Sequence, residues 1–320
     1  MYRKILKDAW QISWKSKYLW FFGLFAAFLG WKGEYEVIVR AASGNIRSQA
    51  PYWLQILSEK EVTVGKFSNL FVAETSTMIA LVFTLLLILF LAGFLFWLAV
   101  VSQAAVINGS FLSLNKKGNN FEDNLGAGIK SFWPVLGMNL IMKITICACF
   151  ALISLPLIFF GRSGNLFLAD FVYFLIFIVF IPLAICFSFI VRYAINYSVL
   201  KKEKFVSAFA KGWKLFKDNW LVSVEVSLLI YLVSFLAGFA IVLFVATLII
   251  SLLFLLIIFK AVSLYIFWVI FSLGFFVILF FIICAGSLLS TFQISASTVL
   301  FSELISGGMK SKIVRIFERE

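Results

Sequence analysis

Long apolar runs alternate with short polar segments along this chain. No charged residue occurs between Glu74 and Lys116, and none occurs between Lys260 and Glu303. A helix needs about 20 apolar residues to cross the hydrocarbon core of a bilayer. The runs are continuous, whereas a membrane barrel shows short segments of alternating polarity. The pattern predicts an all-α fold, a polytopic helical membrane protein.

Six membrane spans account for the apolar runs. The first run follows basic residues as a signal peptide would, but no small-residue cleavage site follows it, so we interpret it as a retained span. The last two runs are long enough for four short spans, but they contain no proline and no polar turn except near Lys260. Two long helices are therefore favoured, within a single integral membrane domain, 1–320. The predicted spans lie near 18–31, 77–107, 132–160, 168–191, 221–255 and 264–298, with an outside loop at 32–72.

The distribution of basic residues predicts the orientation. The chain is 63% hydrophobic and 13% charged, with a net charge of +12. With both termini cytoplasmic, 19 of the 27 Lys and Arg residues lie inside and seven outside, and Lys143 lies within a span. This is the positive-inside pattern. We expect a multi-pass protein of the cell (inner) membrane, with basic loops that face anionic lipid headgroups rather than nucleic acid.

The chain contains three diverged copies of one unit. The segment 205–214 matches the segment 121–130 at a constant offset of 84, in its Phe, apolar, Gly and Lys positions. Residues 6–10 give a weaker third copy. Each segment is soon followed by a tryptophan and an apolar run. We therefore predict three units, each with a cytoplasmic amphipathic helix, an interfacial tryptophan, a span out and a span back.

The segment 205–217 has the pattern of an interfacial helix. Phe205, Phe209, Trp213 and Phe216 form one helical stripe, and lysines occupy the flanking positions. Such a helix lies in the headgroup plane with its aromatic face down and its lysines near phosphate. It is either a connector with aromatic anchors or an element for specific lipid recognition or gating. The predicted lipid-facing residues are Trp133, Lys211, Trp213, Lys214, Lys217 and Trp220.

These motifs carry a resemblance to a known family. Residues 212–214 read Gly-Trp-Lys, residues 217–220 read Lys-Asp-Asn-Trp before a span, and 297–308 read STVLFSELISGG. The chain resembles bacterial six-helix integral membrane proteins grouped with the membrane domain associated with some glycerophosphodiester phosphodiesterases. The resemblance implies a six-helix membrane fold. It implies no activity, because that family has no well-defined one and the phosphodiesterase domain is missing from this sequence.

Few residues offer chemistry. The chain has no histidine, which removes the usual general base and the commonest metal ligand. It has no Gly-rich phosphate loop of the GxxxxGK[ST] type. We therefore predict no catalytic residues, no metal site and no cofactor, and the sequence identifies no protein partner.

Polar residues within the spans are the best functional candidates, since burying a charge in lipid costs several kcal/mol. The candidate intramembrane polar site consists of Lys143, Glu225 and Asn139. Lys143 either extends to the membrane surface, forms an ion pair with Glu225, or binds a substrate or ion together with it.

The sequence favours a non-enzymatic inner-membrane protein with a lipid- or envelope-related scaffold or binding role. The alternative is a small transporter or channel with a polar path around Asn139, Lys143 and Glu225. A repeat of three units differs from the two inverted repeats usual in secondary transporters. An integral membrane enzyme is the third hypothesis, and the missing histidine argues against it.

Overall fold

The computed structural model describes residues 2–29, 75–118, 120–161, 166–260 and 263–307. Within these ranges the chain forms nine α-helices and no strand, which confirms the all-α prediction. The predicted outside loop, 32–72, lies outside the described residues. The helices are α1 (Tyr2–Lys15), α2 (Tyr18–Ala27), α3 (Thr75–Leu114), α4 (Phe121–Lys130), α5 (Phe132–Gly161), α6 (Leu166–Lys201), α7 (Phe205–Asp218), α8 (Trp220–Lys260) and α9 (Leu264–Ile305).

The protein is a multi-pass helical membrane protein. Over the described residues, four stretches are long and apolar enough to cross a membrane, and they lie in α3, α6, α8 and α9. A fifth becomes possible if α4 and the start of α5, which meet at an angle of 63°, count as one broken span. In α2 only ten residues are helical and apolar. These segments give four or five spans by length and composition, so the predicted number of six remains a prediction.

Several helices extend beyond the predicted spans. The span predicted to end at 107 continues to Leu114 in α3, and the one predicted to end at 191 continues to Lys201 in α6. Both helices stop only where charged residues follow the apolar pattern. Lys116 and Lys202 then take left-handed φ angles of 53° and 54°, which terminate the helices as glycine often does. The last two runs form two continuous helices, α8 and α9, of 41 and 42 residues.

The chain divides into two compact units. One, which we call the packed unit, comprises Met1–Trp31, Leu98–Ile141 and Phe189–Glu320. The other comprises Lys32–Trp97 and Met142–Ser188. In this second unit, the α3 side chains from Ile79 to Phe96 are exposed, with large apolar residues such as Phe90 at 75% exposure. An apolar helix surface of this kind is typical of a lipid-facing segment.

Within the packed unit, α8 and α9 each have two distinct parts. No residue of α9 from 264 to 286 is buried, whereas most residues from Ser287 onward are buried. In α8, the segment 220–234 holds five buried residues, and in the segment 235–260 only Leu256 is buried. The exposed part of α9 is about 34 Å long at the standard helical rise, close to the thickness of a hydrocarbon core of about 30 Å. The remainder of each helix is therefore packed against protein rather than needed for crossing.

The three sequence copies share one burial pattern in their short helices α1, α4 and α7, which we call the connecting helices. When the three helices are aligned on Ala9, Gly128 and Gly212, two positions are buried in every copy. They are the aligned small residue itself and the residue four positions before it. A large exposed apolar residue then follows the small one directly. The buried positions are Ile5, Asn124 and Ala208, then Ala9, Gly128 and Gly212; the exposed ones are Trp10, Ile129 and Trp213.

The small residue of each connecting helix allows close contact with a long helix. A Cβ on Gly128 would lie 2.5 Å from the carbonyl oxygen of Val101 in α3. A Cβ on Gly212 would lie 2.8 Å from the carbonyl oxygen of Ile190 in α6. In both copies the partner is the long helix that precedes the connecting helix. Glycine therefore permits a backbone-to-backbone approach that any other residue would prevent.

In the first copy, the partner comes from the opposite end of the chain. Ala9 of α1 packs in a buried cluster with Phe292 and Ala296 of α9. The Lys4 ammonium donates to the Glu303 carboxylate at 2.9 Å, and Thr291 donates to the carbonyl of Leu19 in α2 at 3.2 Å. The end of α9 therefore packs against α1, as α3 packs against α4 and α6 against α7.

We predict that Gly128→Ala lowers thermal stability. The added Cβ overlaps the α3 backbone, and overpacking of this kind costs about 1–3 kcal/mol. Gly126 in the same helix has nothing within 4 Å of a built Cβ. Gly126→Ala is therefore the matched control and should be neutral or stabilising by up to about 1 kcal/mol. Thermal unfolding of the two purified variants compares them directly, and equal midpoints would show that the close approach is absent.

Candidate functional site

Small polar side chains are concentrated in the interior of the packed unit. Several link different helices. The hydroxyls of Ser110 in α3 and Ser295 in α9 lie 2.8 Å apart, and Tyr193 in α6 donates to Ser223 in α8 at 2.7 Å. Hydroxyl groups paired in this way satisfy each other's need for a hydrogen-bond partner, and they fix the position of one helix along the other. The buried polar residues of the unit are Ser13, Ser102, Gln103, Ser110, Asn124, Asn196, Ser198, Ser223, Ser227, Ser234, Ser287, Thr291, Ser295, Ser297 and Thr298.

Asn139, predicted as part of an intramembrane polar site, belongs to this interior. Its amide nitrogen donates to Gln103 Oε1 of α3 at 2.7 Å and to the carbonyl of Val135 at 2.9 Å. Gln103 is only 2% exposed. The contact therefore satisfies a buried amide between α5 and α3, which belong to adjacent sequence copies.

Glu225 and Lys143, the two predicted ionic residues, have different environments. Glu225 is half-buried in α8 and accepts a hydrogen bond from the Tyr2 hydroxyl of α1. Lys143 is exposed on α5 and belongs to the second unit. The Tyr2 contact gives Glu225 a partner that sequence reasoning missed, because nothing in the sequence associates residue 2 with residue 225. The predicted pairing of Lys143 with Glu225 stays a prediction.

The predicted lipid-facing tryptophans are all exposed. Trp133, Trp213 and Trp220 have exposures of 77%, 55% and 57%. Lys214 and Lys217 are also exposed. Trp10 and Trp14 of α1, at 50% and 53%, were missed as anchors although they belong to the weaker third copy.

The predicted aromatic stripe of α7 does not form one exposed face. Of its four members only Trp213 is exposed. Phe216 stacks on Phe189 of α6 with ring centroids 5.6 Å apart, and Phe205 lies close to Gly137 of α5. Phe205 and Phe216 therefore attach the connecting helix to neighbouring helices. Helical periodicity alone does not distinguish such a protein-facing stripe from a lipid-facing one.

Two connecting helices each form an ion pair with a carboxylate near the end of a long helix. Lys211 of α7 donates to Glu203, just after α6, and Ser207 donates to the same carboxylate at 2.8 Å. In the first copy, Lys4 of α1 pairs with Glu303 of α9. Hydrogen bonds from Lys211 and Ser207 lower the pKa of Glu203, and the bond to Glu303 raises the pKa of Lys4. Each of these two pKa shifts favours the charged form of its group.

A cleft of about 550 Å³ lies in the packed unit, beside α4 and the end of α6. Its volume is within the range of small-ligand sites. Charges of both signs line it, and apolar residues complete the wall. The polar lining residues are Asn108, Glu122, Asp123, Lys130, Ser131, Ser198, Lys202 and Glu203, and the apolar ones include Pro134, Val199 and Leu200.

The described residues leave four of these charges available to a ligand. Glu203 is engaged by Lys211 and Ser207. By contrast, the described part of the chain shows no ion pair for Glu122, Asp123, Lys130 or Lys202. The cleft was missed at the sequence level because its two walls come from segments some 75 residues apart.

Arg192 is a further charged residue, one position beyond the predicted end of the span 168–191. It lies in α6, half-buried, with its guanidinium carbon 6.0 Å from the centre of the Phe189 ring. That distance is within the range of a cation–π contact. The signal for its position was the apolar pattern around it, which continues past 191 to Val199 and Leu200.

Known chemistries and known proteins give no further assignment. Among the described residues, no group of three or more Cys, Asp or Glu side chains is placed to hold a metal ion. A comparison with protein-family models, with curated proteins and with solved structures found no match for the chain.

We predict that Asn139→Leu destabilises the protein by about 1–2 kcal/mol, because it leaves the buried Gln103 without this donor. The double variant, Asn139→Leu with Gln103→Leu, should lose no more stability than either single variant if the two side chains act as a unit. Asn115→Leu is the control, because Asn115 is exposed and its amide donates only to the carbonyl of Phe111. Thermal unfolding in detergent measures all four proteins, and additive losses would contradict a direct pairing.

Proposed function

We propose that this protein is a non-enzymatic protein of the cell (inner) membrane that binds lipid headgroups and serves a lipid- or envelope-related scaffold role. In this proposal, the connecting helices and the buried ends of α8 and α9 lie at the headgroup level on the cytoplasmic side, and both termini are cytoplasmic. The connecting helices α1, α4 and α7 are its interfacial elements. Anionic lipids are its partners.

The observation that carries the proposal is the recurrence of an exposed apolar anchor in three copies. Trp10, Ile129 and Trp213 are 50%, 47% and 55% exposed, each directly after a buried small residue. A soluble surface has no reason to repeat such a residue three times. At a membrane surface, an amphipathic side chain of this kind inserts into the boundary between headgroups and acyl chains.

Charge supports the same placement. The connecting helices and the turns beside them carry lysines that are exposed alongside the anchors: Lys7, Lys15, Lys17, Lys116, Lys117, Lys130, Lys201, Lys202, Lys204, Lys211, Lys214 and Lys217. A cation near an anionic membrane surface contributes about 1 kcal/mol. Several of them together provide an affinity that an isolated lysine does not.

The hydrogen bonds of Asn139 and Glu225 favour this role over the transporter or channel alternative. Both side chains are bonded to protein groups, Gln103 and Tyr2, that hold helices together. The resemblance to the membrane domain associated with glycerophosphodiester phosphodiesterases fits a lipid-related role and stays a prediction.

We predict that Lys214→Gln weakens the binding of an anionic phospholipid about fivefold, the equivalent of about 1 kcal/mol. The added change Lys217→Gln should weaken it about fivefold again. Native mass spectrometry with phosphatidylglycerol measures the affinity at several salt concentrations, and the effect should shrink as salt rises.

Lys260→Gln is the matched control for this experiment. Lys260 is also exposed, but it ends α8 and is the only cation in the sequence between Lys217 and Lys310. Its replacement should change the affinity less than twofold. An equal loss in Lys260→Gln and Lys214→Gln would contradict a basic headgroup-binding surface.

A further inference from the structure

The charged side chains around the cleft supply two kinds of binding group, carboxylates for a cation and ammonium groups for an anion. Glu122 and Asp123 occupy the first turn of α4, and Lys130 occupies its last turn. Lys202 comes from the other wall, after the end of α6. With Glu203 neutralised by Lys211, two carboxylates and two ammonium groups remain. A ligand that matches this set carries one cationic and one anionic group.

The lining also determines which kind of cation fits. Asn108, Ser131 and Ser198 add hydrogen-bonding groups, and among the described residues no aromatic side chain lines the cleft. A quaternary ammonium has no N–H group and is usually held by an aromatic cage. A primary ammonium donates up to three hydrogen bonds and suits carboxylates. The cleft therefore favours a primary ammonium over a choline group.

The apolar part of the lining indicates where the ligand comes from. Pro134 of α5, with Val199 and Leu200 of α6, lines the same cleft as the charges. Trp133, adjacent to Pro134, is 77% exposed, as expected of a residue at the membrane surface. A headgroup that enters from the bilayer meets this apolar wall with its glycerol and upper acyl region. A soluble phosphate compound has no apolar part that would contact this wall.

We propose that this cleft binds the phosphoethanolamine headgroup of a membrane phospholipid. Glu122 and Asp123 accept hydrogen bonds from its ammonium, and Lys130 and Lys202 bind its phosphate. The inference rests on the proposed headgroup-binding role and adds to its anionic partners a zwitterionic lipid, bound at this one site. Glu122 and Asp123 also stabilise α4, because their negative charges lie near the positive end of its helix dipole. A role limited to that effect would change stability but would not distinguish one headgroup from another.

The test is a competition between two lipids that differ only in the amine. The protein in detergent is mixed with equal amounts of phosphatidylethanolamine and phosphatidylcholine with identical acyl chains, and native mass spectrometry counts the bound forms. The wild type should prefer phosphatidylethanolamine at least fivefold. Glu122→Gln with Asp123→Asn should reduce this ratio to near one. Asp218→Asn, an exposed carboxylate of α7 outside the cleft, should leave it unchanged.

A second variant keeps the test decisive if the double change unfolds the protein. Lys202→Gln removes a phosphate contact, so it should weaken the binding of both lipids about equally and leave their ratio intact. A wild type without preference, a ratio unaffected by the carboxylate changes, or Lys202→Gln with full affinity would each overturn the proposal.

The outcome is separable from that of the proposed function. If the wild type shows no preference for phosphatidylethanolamine but Lys214→Gln still weakens the binding of phosphatidylglycerol, only the cleft assignment is overturned. Absence of both effects overturns the headgroup-binding role as well.

Discussion

Close approach of helix backbones at one small residue is the constraint on which the packed unit depends. Gly128 and Gly212 bring α4 and α7 within contact of the carbonyl groups of α3 and α6. Ala9 has the same position in α1, against Phe292 and Ala296. Helices in a membrane gain little from apolar burial, because lipid is as apolar as a side chain, so close packing and hydrogen bonds hold them together. The small residue allows both.

The same kind of contact joins α1 and α9, which are far apart in the sequence. The connecting helices α4 and α7 pack against the long helices α3 and α6 that precede them, whereas α1 packs against the end of α9. Ion pairs add to two of these contacts, Lys4 with Glu303 in α1 and Lys211 with Glu203 in α7. Three connecting helices are then held alike, and each presents one apolar anchor at its surface. The shared packing thus produces the surface that we assign to lipid headgroups.

The division of α8 and α9 follows from where their polar residues lie. The buried serine and threonine side chains of these helices occur from Ser287 onward in α9 and up to Ser234 in α8. The exposed parts are mostly apolar, and the hydroxyls of their Thr247, Ser251 and Ser272 donate to carbonyl groups of their own helix. A polar side chain that is bonded to another helix loses less by burial than one that faces lipid. The length of the exposed parts suits a bilayer. Helices of more than 40 residues therefore combine a crossing segment and a packing segment in one element.

Much of this fold was predictable from the sequence, and the reasons are local. The continuous apolar runs gave the helices, and the offset of 84 between 121–130 and 205–214 gave the repeat. The tryptophans Trp133, Trp213 and Trp220, predicted to face lipid at the interface, are exposed, and their lipid contact stays a prediction. The helix ends were less predictable, because Arg192 interrupts the apolar pattern without ending α6. The contact of Tyr2 with Glu225, the protein-facing side of Phe216 and the cleft all depend on residues distant in sequence, so no local pattern signals them.

The central claim is that the exposed apolar segments cross the membrane while the connecting helices lie at its cytoplasmic surface. Thiol labelling in inside-out vesicles tests it most directly, after replacement of Cys147, Cys149, Cys186 and Cys284 with alanine. A membrane-impermeant maleimide should react with Lys7→Cys and Lys214→Cys but not with Phe239→Cys or Phe276→Cys, although all four positions are exposed in the structure. Equal labelling of Phe239→Cys and Lys214→Cys, or no labelling of Lys214→Cys, would contradict this account.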